Sequence, residues 1–102
     1  METFAHEAVV ALTGGSTAAA PGGAVTVALC GHWEHDGSCR YPHHTAVVAR
    51  EASSVTMRVE FSCDEREEHD VRRLVRRALQ SGAVVGPNGC ETWTLLDDRI
   101  VA

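Results

Sequence analysis

The chain has 102 residues, nine basic against fourteen acidic, and a formal net charge of −5. That length fits one domain burying roughly 65% of its unfolded surface, and it excludes a large multi-step enzyme with a deep substrate cavity. The acidic surplus excludes a phosphate-neutralising surface, so no nucleic-acid partner is expected.

No stretch approaches the ~20 apolar residues of a membrane span, and residues 1–7 have neither the basic start nor the apolar middle of a signal peptide. The expected location is therefore cytoplasmic, with no membrane partner. All nine basic residues are Arg, and with 14 Ala, 13 Val and 9 Gly the composition points to a GC-rich bacterial source. Small apolar side chains make a thin core that favours β-structure.

In residues 3–12, Phe4, His6, Ala8, Val10 and Leu12 share one face of an extended chain, which predicts a strand. An Ala-rich helix through Glu7, Ala8, Ala11 and Leu12 is the rival. Residues 14–23 contain two Gly pairs and Pro21 and read as a loop. They lack the Gly-Lys-Ser/Thr ending of a phosphate-cradling loop. Residues 24–34 are rich in Val and Thr, and Asp36-Gly37 is a hairpin turn signal before a second extended run over about 39–50.

After a turn at 51–54, Val55, Met57, Val59 and Phe61 alternate with Thr56, Arg58, Glu60 and Ser62, which predicts a strand over 55–63. Asp64 can cap a following helix whose first turn is acidic (Glu65, Glu67, Glu68) and whose later turns hold Arg72, Arg73, Arg76 and Arg77, complementing the helix dipole. Val71, Leu74, Val75 and Ala78 form its apolar stripe, and Gly82 can end it. Glu68 with Arg72 and Asp70 with Arg73 read as surface ion pairs rather than as an anion site. Residues 92–101, with Trp93, Leu95 and Ile100, read as the last strand. The expected architecture is an α+β domain of order β-β-β-β-α-β. Its mainly antiparallel four- or five-stranded sheet carries one helix on the face of Val55, Met57, Val59 and Phe61. An exposed edge at 3–12 or 92–101 would permit a homodimer.

The chemistry concentrates in residues 30–44, where Cys30, His32, His35, Cys39, His43 and His44 place two Cys and four His within fifteen residues. In a reducing compartment these cysteines read as thiols or metal ligands rather than a disulfide framework. Thiolate with imidazole suits zinc, the expected cofactor, although the spacing is not that of a Cys-x2-Cys zinc finger.

Two hairpin registers compete. A two-residue Asp36-Gly37 turn gathers Cys30, His32, Cys39 and His43 on one face, with Glu34 beside them. A three-residue Asp36-Gly37-Ser38 loop gathers His35, Cys39 and His43 and leaves Cys30 opposite His44. Cys39 and His43 belong to both sets, His35 sits at the tip, and Pro42 distorts the strand before His44. The expected ligands are therefore His35, Cys39, His43 and His44, with Cys30 and His32 ranked below.

Cys63 and Cys90 read as small apolar fillers, His6 and His69 as surface or satisfied histidines, and Trp33 and Tyr41 as packing. The competing reading of 30–44 is a polar hairpin whose histidines only bond to neighbours. A closed zinc site would supply folding energy to a thin core, leaving the domain to act on a protein partner as an interaction or regulatory module. An open coordination position, with Glu34 or a spare His as base, would make a small metal-dependent enzyme. A metal-free enzyme would use Cys39 as a nucleophile activated by His43 or His35. An exchangeable site would suit metal trafficking or sensing.

Overall fold

Period-two alternation builds the centre of the sheet, and buried helical stripes cover one of its faces. The computed structural model describes residues 2–13, 15–31, 40–86 and 89–101. The chain runs β1 (Glu2–Leu12), α1 (Ala19–Cys30), β2 (His43–Arg50), β3 (Ser54–Cys63), a 3-10 turn (Glu65–Glu67), α2 (Glu68–Ser81), β4 (Ala83–Gly86) and β5 (Gly89–Val101). The strands form one sheet of order β2-β3-β1-β5-β4, antiparallel at every junction. Without β4 this is the split βαβ arrangement, in which β3 and β5 flank the first strand.

The expected α+β class and antiparallel sheet are observed; the expected element order and single helix are not. The strand expected over 24–34 gives way over 24–30 to a helix, because α1 occupies Ala19–Cys30 and buries Ala20, Pro21, Ala24, Val25 and Leu29 along one stripe. Burial of that stripe outweighs the β preference of Val25, Thr26 and Val27. The loop expected at 14–23 ends early for the same reason, since Pro21 falls in the first turn, where its missing N–H costs nothing. Gly31 ends α1 with φ 83°, and its N–H bonds to the Val27 carbonyl at 2.8 Å. The hairpin pairing 24–34 with 39–50, and both registers built on it, therefore give way to a helix followed by an edge strand. Its turn, Asp36-Gly37, lies outside the described residues.

Both helices pack on the face that carries Val55, Met57, Val59 and Phe61, as expected of the single predicted helix. Val25 and Leu29 of α1 meet Val71, Val75 and Leu79 of α2 over Ala8, Val59 and Phe61, while Ala20 and Ala24 cover Val10, Met57 and Trp93. Gly22 of α1 faces β2, where a Cβ would meet Thr45 Cγ2 at 3.4 Å. Asp64 caps the 3-10 turn through the Arg66 N–H at 3.0 Å rather than capping α2 itself. Beyond Gly82 the chain forms β4, read from sequence as a connector, which pairs with the start of β5.

β1 is no edge: β3 and β5 pair along both of its sides. On the sheet face turned away from the helices, Glu7 is held by Arg58 Nη2 at 2.7 Å and Arg99 Nη2 at 2.6 Å. Those bonds, Arg99's first, keep its carboxyl below the ordinary glutamate value.

Candidate metal centre

The C-terminal turn of α1 and the first residue of β2 bring three electron-pair donors together. Thr26 stands one turn before Cys30, and its hydroxyl donates to the Gly22 carbonyl at 3.1 Å, the usual back-bond of a helical threonine. The same Thr26 oxygen lies within hydrogen-bond distance of His43 Nε2, at 3.0 Å, with the donor set by the tautomer of the ring. The other ring nitrogen, Nδ1, faces away from Thr26.

Nδ1 stands 3.1 Å from the Tyr41 carbonyl oxygen and 3.8 Å from Cys30 Sγ. With its hydrogen on Nδ1 the neutral ring donates to the Tyr41 carbonyl and accepts from the Thr26 hydroxyl at Nε2; in the other tautomer the Nδ1 lone pair faces the Cys30 sulfur, where a metal ion can bind it. In a tetrahedral zinc site with bonds of about 2.3 Å to sulfur and 2.0 Å to nitrogen, the two ligand atoms stand about 3.5 Å apart, somewhat closer than the 3.8 Å seen here. In the tautomer that leaves Nδ1 for a metal, an Nε2–H bond to Thr26 is the kind of outer hydrogen bond that orients a metal-binding imidazole.

His43 and Thr26 also line a groove of about 480 Å³ between α1 and β2, floored by Met57 and reaching Arg50. Tyr41 is buried, and its hydroxyl donates to Glu67 Oε2 at 2.8 Å. That bond, with burial second, pushes the phenol pKa up.

The structure thus joins Cys30, a lower-ranked expectation, to His43, a principal one. His44 alternates to the opposite side of β2 from His43 and stands across from Glu60, so the two neighbouring histidines do not converge. His32, His35 and Cys39 lie outside the described residues, as do Trp33 and Glu34. Among the described residues no three His, Cys, Asp or Glu side chains gather into a metal-holding group. Cys30 is disulfide-bonded, contrary to the expectation of thiols alone, while Cys63 and Cys90 are free. Cys63 is buried filler as expected, and burial pushes its thiol pKa up. Cys90 is exposed, contrary to the same expectation, because it sits in the projecting β4-β5 hairpin. Sequence reasoning missed Thr26 and the Tyr41 carbonyl: with 24–34 taken as a strand, nothing placed Thr26 beside His43.

A second polar cluster lies between α2 and the sheet. His6 is 1% exposed; its Nε2 lies 2.7 Å from Asp98 Oδ2 and its Nδ1 3.2 Å from Arg72 Nη1. Arg72 also donates to the Ala5 carbonyl at 2.8 Å and to Glu68 Oε2 at 2.7 Å, and Arg76 donates to Asp98 at 2.9 Å. Arg72 is thus a buried anchor at 8% exposure, not the surface partner expected, although its pairing with Glu68 is as expected. An arginine can only donate, so His6 accepts at Nδ1 and donates from Nε2 to Asp98. Burial lowers the His6 pKa, and the Asp98 bond only partly opposes this. With both ring nitrogens engaged inside the fold, His6 serves as a neutral structural histidine.

No family model, curated protein or solved structure matches the chain. Among the described residues no helix is long and apolar enough to cross a membrane. An α+β domain of split βαβ topology hosts many unrelated functions, so the function has to be argued from the site.

Proposed function

We propose that the chain is a small zinc-binding protein whose metal is structural and which acts on a protein partner as an interaction or regulatory module. The observation that carries this reading is the convergence of His43 Nδ1 and Cys30 Sγ, an imidazole nitrogen and a cysteine sulfur 3.8 Å apart, beside the Tyr41 carbonyl. His43 and reduced Cys30 would supply two donors, and the reading takes the sequence-expected ligands His35 and Cys39, which lie outside the described residues, as the other two. Such an ion ties the end of α1 to the start of edge strand β2, which pairs with β3 alone. Metal-binding energy then becomes folding energy at the margin of a thin core.

The test is metal content by mass spectrometry on untagged protein kept reduced and supplied with zinc. Near one equivalent is expected, lost in His43→Ala and Cys39→Ser together with a fall in the urea midpoint. Thr26→Val removes the acceptor of the Nε2–H, and zinc affinity should drop at least about tenfold. Reduced wild-type protein that takes up no zinc refutes the reading.

A further inference from the structure

The groove between α1 and β2 extends well beyond His43, and a cation lines it at the far end of β2. We propose that this groove binds a small organic carboxylate with an apolar body, the carboxylate on Arg50 and the body along Val47 and Met57. The proposal uses no metal and stands apart from the zinc reading.

The backbone of β2 is bent to bring Arg50 there. Side chains alternate along a strand, so with His43, Thr45 and Val47 on the side that α1 covers, an unbroken β2 would put Arg50 on the opposite side. The pairing is not unbroken: Val47 stands across from Met57, the register then shifts, and Ala49 meets Thr56 and Arg50 meets Val55. Val48 is thus an extra residue. Its bulge returns Arg50 to the side of the buried Val55 and Met57, and re-aiming one side chain in this way is a common use of a bulge beside a binding site.

Charge and space agree with that placement. Arg50 is exposed and enters no ion pair among the described residues. No acidic side chain lines the groove, although the chain has fourteen of them. Thr26 meets His43 and Gly22 meets Thr45, so α1 runs opposite to β2 and its first residues fall beside the Arg50 end. Glu91 already answers that helix end by accepting from the Thr17 N–H at 2.8 Å, which leaves Arg50 as the charge offered to a ligand. Ala18, Ala19 and Gly22 face the groove from α1, and their small size leaves the space open. From Ala18 to Thr26 the helix advances about 12 Å, room for a medium-length hydrocarbon body, and the volume of about 480 Å³ lies within the roughly 300–1,000 Å³ of small-molecule sites.

The test is a titration of the isotope-labelled full chain, followed through its backbone amides by heteronuclear NMR, with octanoate, octanamide and octylamine, which differ in the head group. Octanoate should give saturable shifts in residues 18–26 and 45–50, octanamide should bind at least about tenfold more weakly, and octylamine should give none. Arg50→Gln should bring octanoate down to the octanamide level and leave octanamide where it was. Ala19→Trp, a change at an exposed helix position, fills the groove and should weaken both. Octanoate binding that is unchanged in Arg50→Gln overturns the proposal, as do shifts confined to other parts of the chain or no saturation below the concentration at which octanoate forms micelles. A short peptide with a free C-terminus that binds the same residues in preference to octanoate overturns the small-acid class and makes a chain end the occupant.

Discussion

Arg72 and Arg73 are neighbours in one basic cluster, and the structure predicts opposite consequences for their loss. Arg72→Ala leaves His6 Nδ1 without its donor in a site 1% exposed, and such an orphaned buried acceptor costs about 1–3 kcal/mol. It also removes the guanidinium stacked 5.4 Å from the centre of the Phe61 ring and 5.9 Å from that of Phe4, contacts worth roughly 0.5–1 kcal/mol each. The Glu68 pair adds a few tenths.

The total is about 3 kcal/mol, a large part of the ~5–15 kcal/mol that holds a domain of this size together. At about 4–8 °C per kcal/mol it lowers the melting temperature by roughly 12–24 °C. Arg73→Ala, at an exposed position, should stay within about 0.5 kcal/mol. Arg72→Met, which keeps the apolar stem, should recover part of the loss but not the bond to His6. Urea unfolding at pH 7.5 followed by circular dichroism measures all three. Equal, sub-kilocalorie effects for Arg72→Ala and Arg73→Ala would refute the buried role of Arg72.

His6 gives the fold a dependence on acid. Its folded pKa lies below the ordinary 6.5, so as pH falls the unfolded chain takes up the proton first. Stability is complete above about 6.5 and drains as pH drops from there through the lowered folded pKa. Urea midpoints between pH 7.5 and 5 should fall more steeply in wild type than in His6→Asn, and parallel slopes would discount the effect. Gly31 and Gly82 both adopt positive φ, but a Cβ on Gly31 meets open space, whereas one on Gly82 would stand 2.8 Å from the Trp93 carbonyl. Gly31→Ala should cost about 1 kcal/mol and Gly82→Ala at least about 2 kcal/mol, and urea titration of the two variants checks that order.

β1, β3 and α2 were legible because each repeats its period over enough residues to bury one face. Phe4 through Val10 and Val55 through Phe61 alternate, while Val71 and Val75 recur at helical spacing. α1 was not legible. Its stretch from Ala19 to Cys30 combines Pro21, two glycines, Val25, Thr26 and Val27, a composition that reads first as loop and then as strand. Its helical character comes from packing Ala24, Val25 and Leu29 under the sheet, an influence that acts only once the sheet exists. β4 is four residues long, too short for any period to show. At the site, the density of Cys and His pointed to 30–44, but misplacing α1 hid the meeting of Thr26, Cys30 and His43. Strand alternation holds along β2 and separates His43 from His44, which the expected ligand set had joined on the supposition that Pro42 distorts the strand.

The central position of β1 sets a timing problem for synthesis. Its partners on β5 lie 81 to 96 residues further along the chain. At about 5–20 residues per second, roughly 4–20 s separate the two during translation. Over that interval one side of an eleven-residue strand has no native neighbour, and another nascent chain can pair with it as readily as β5 will later. The yield of folded protein should therefore depend on how closely the ribosomes follow one another along the message, with slower initiation giving more soluble product from the same sequence.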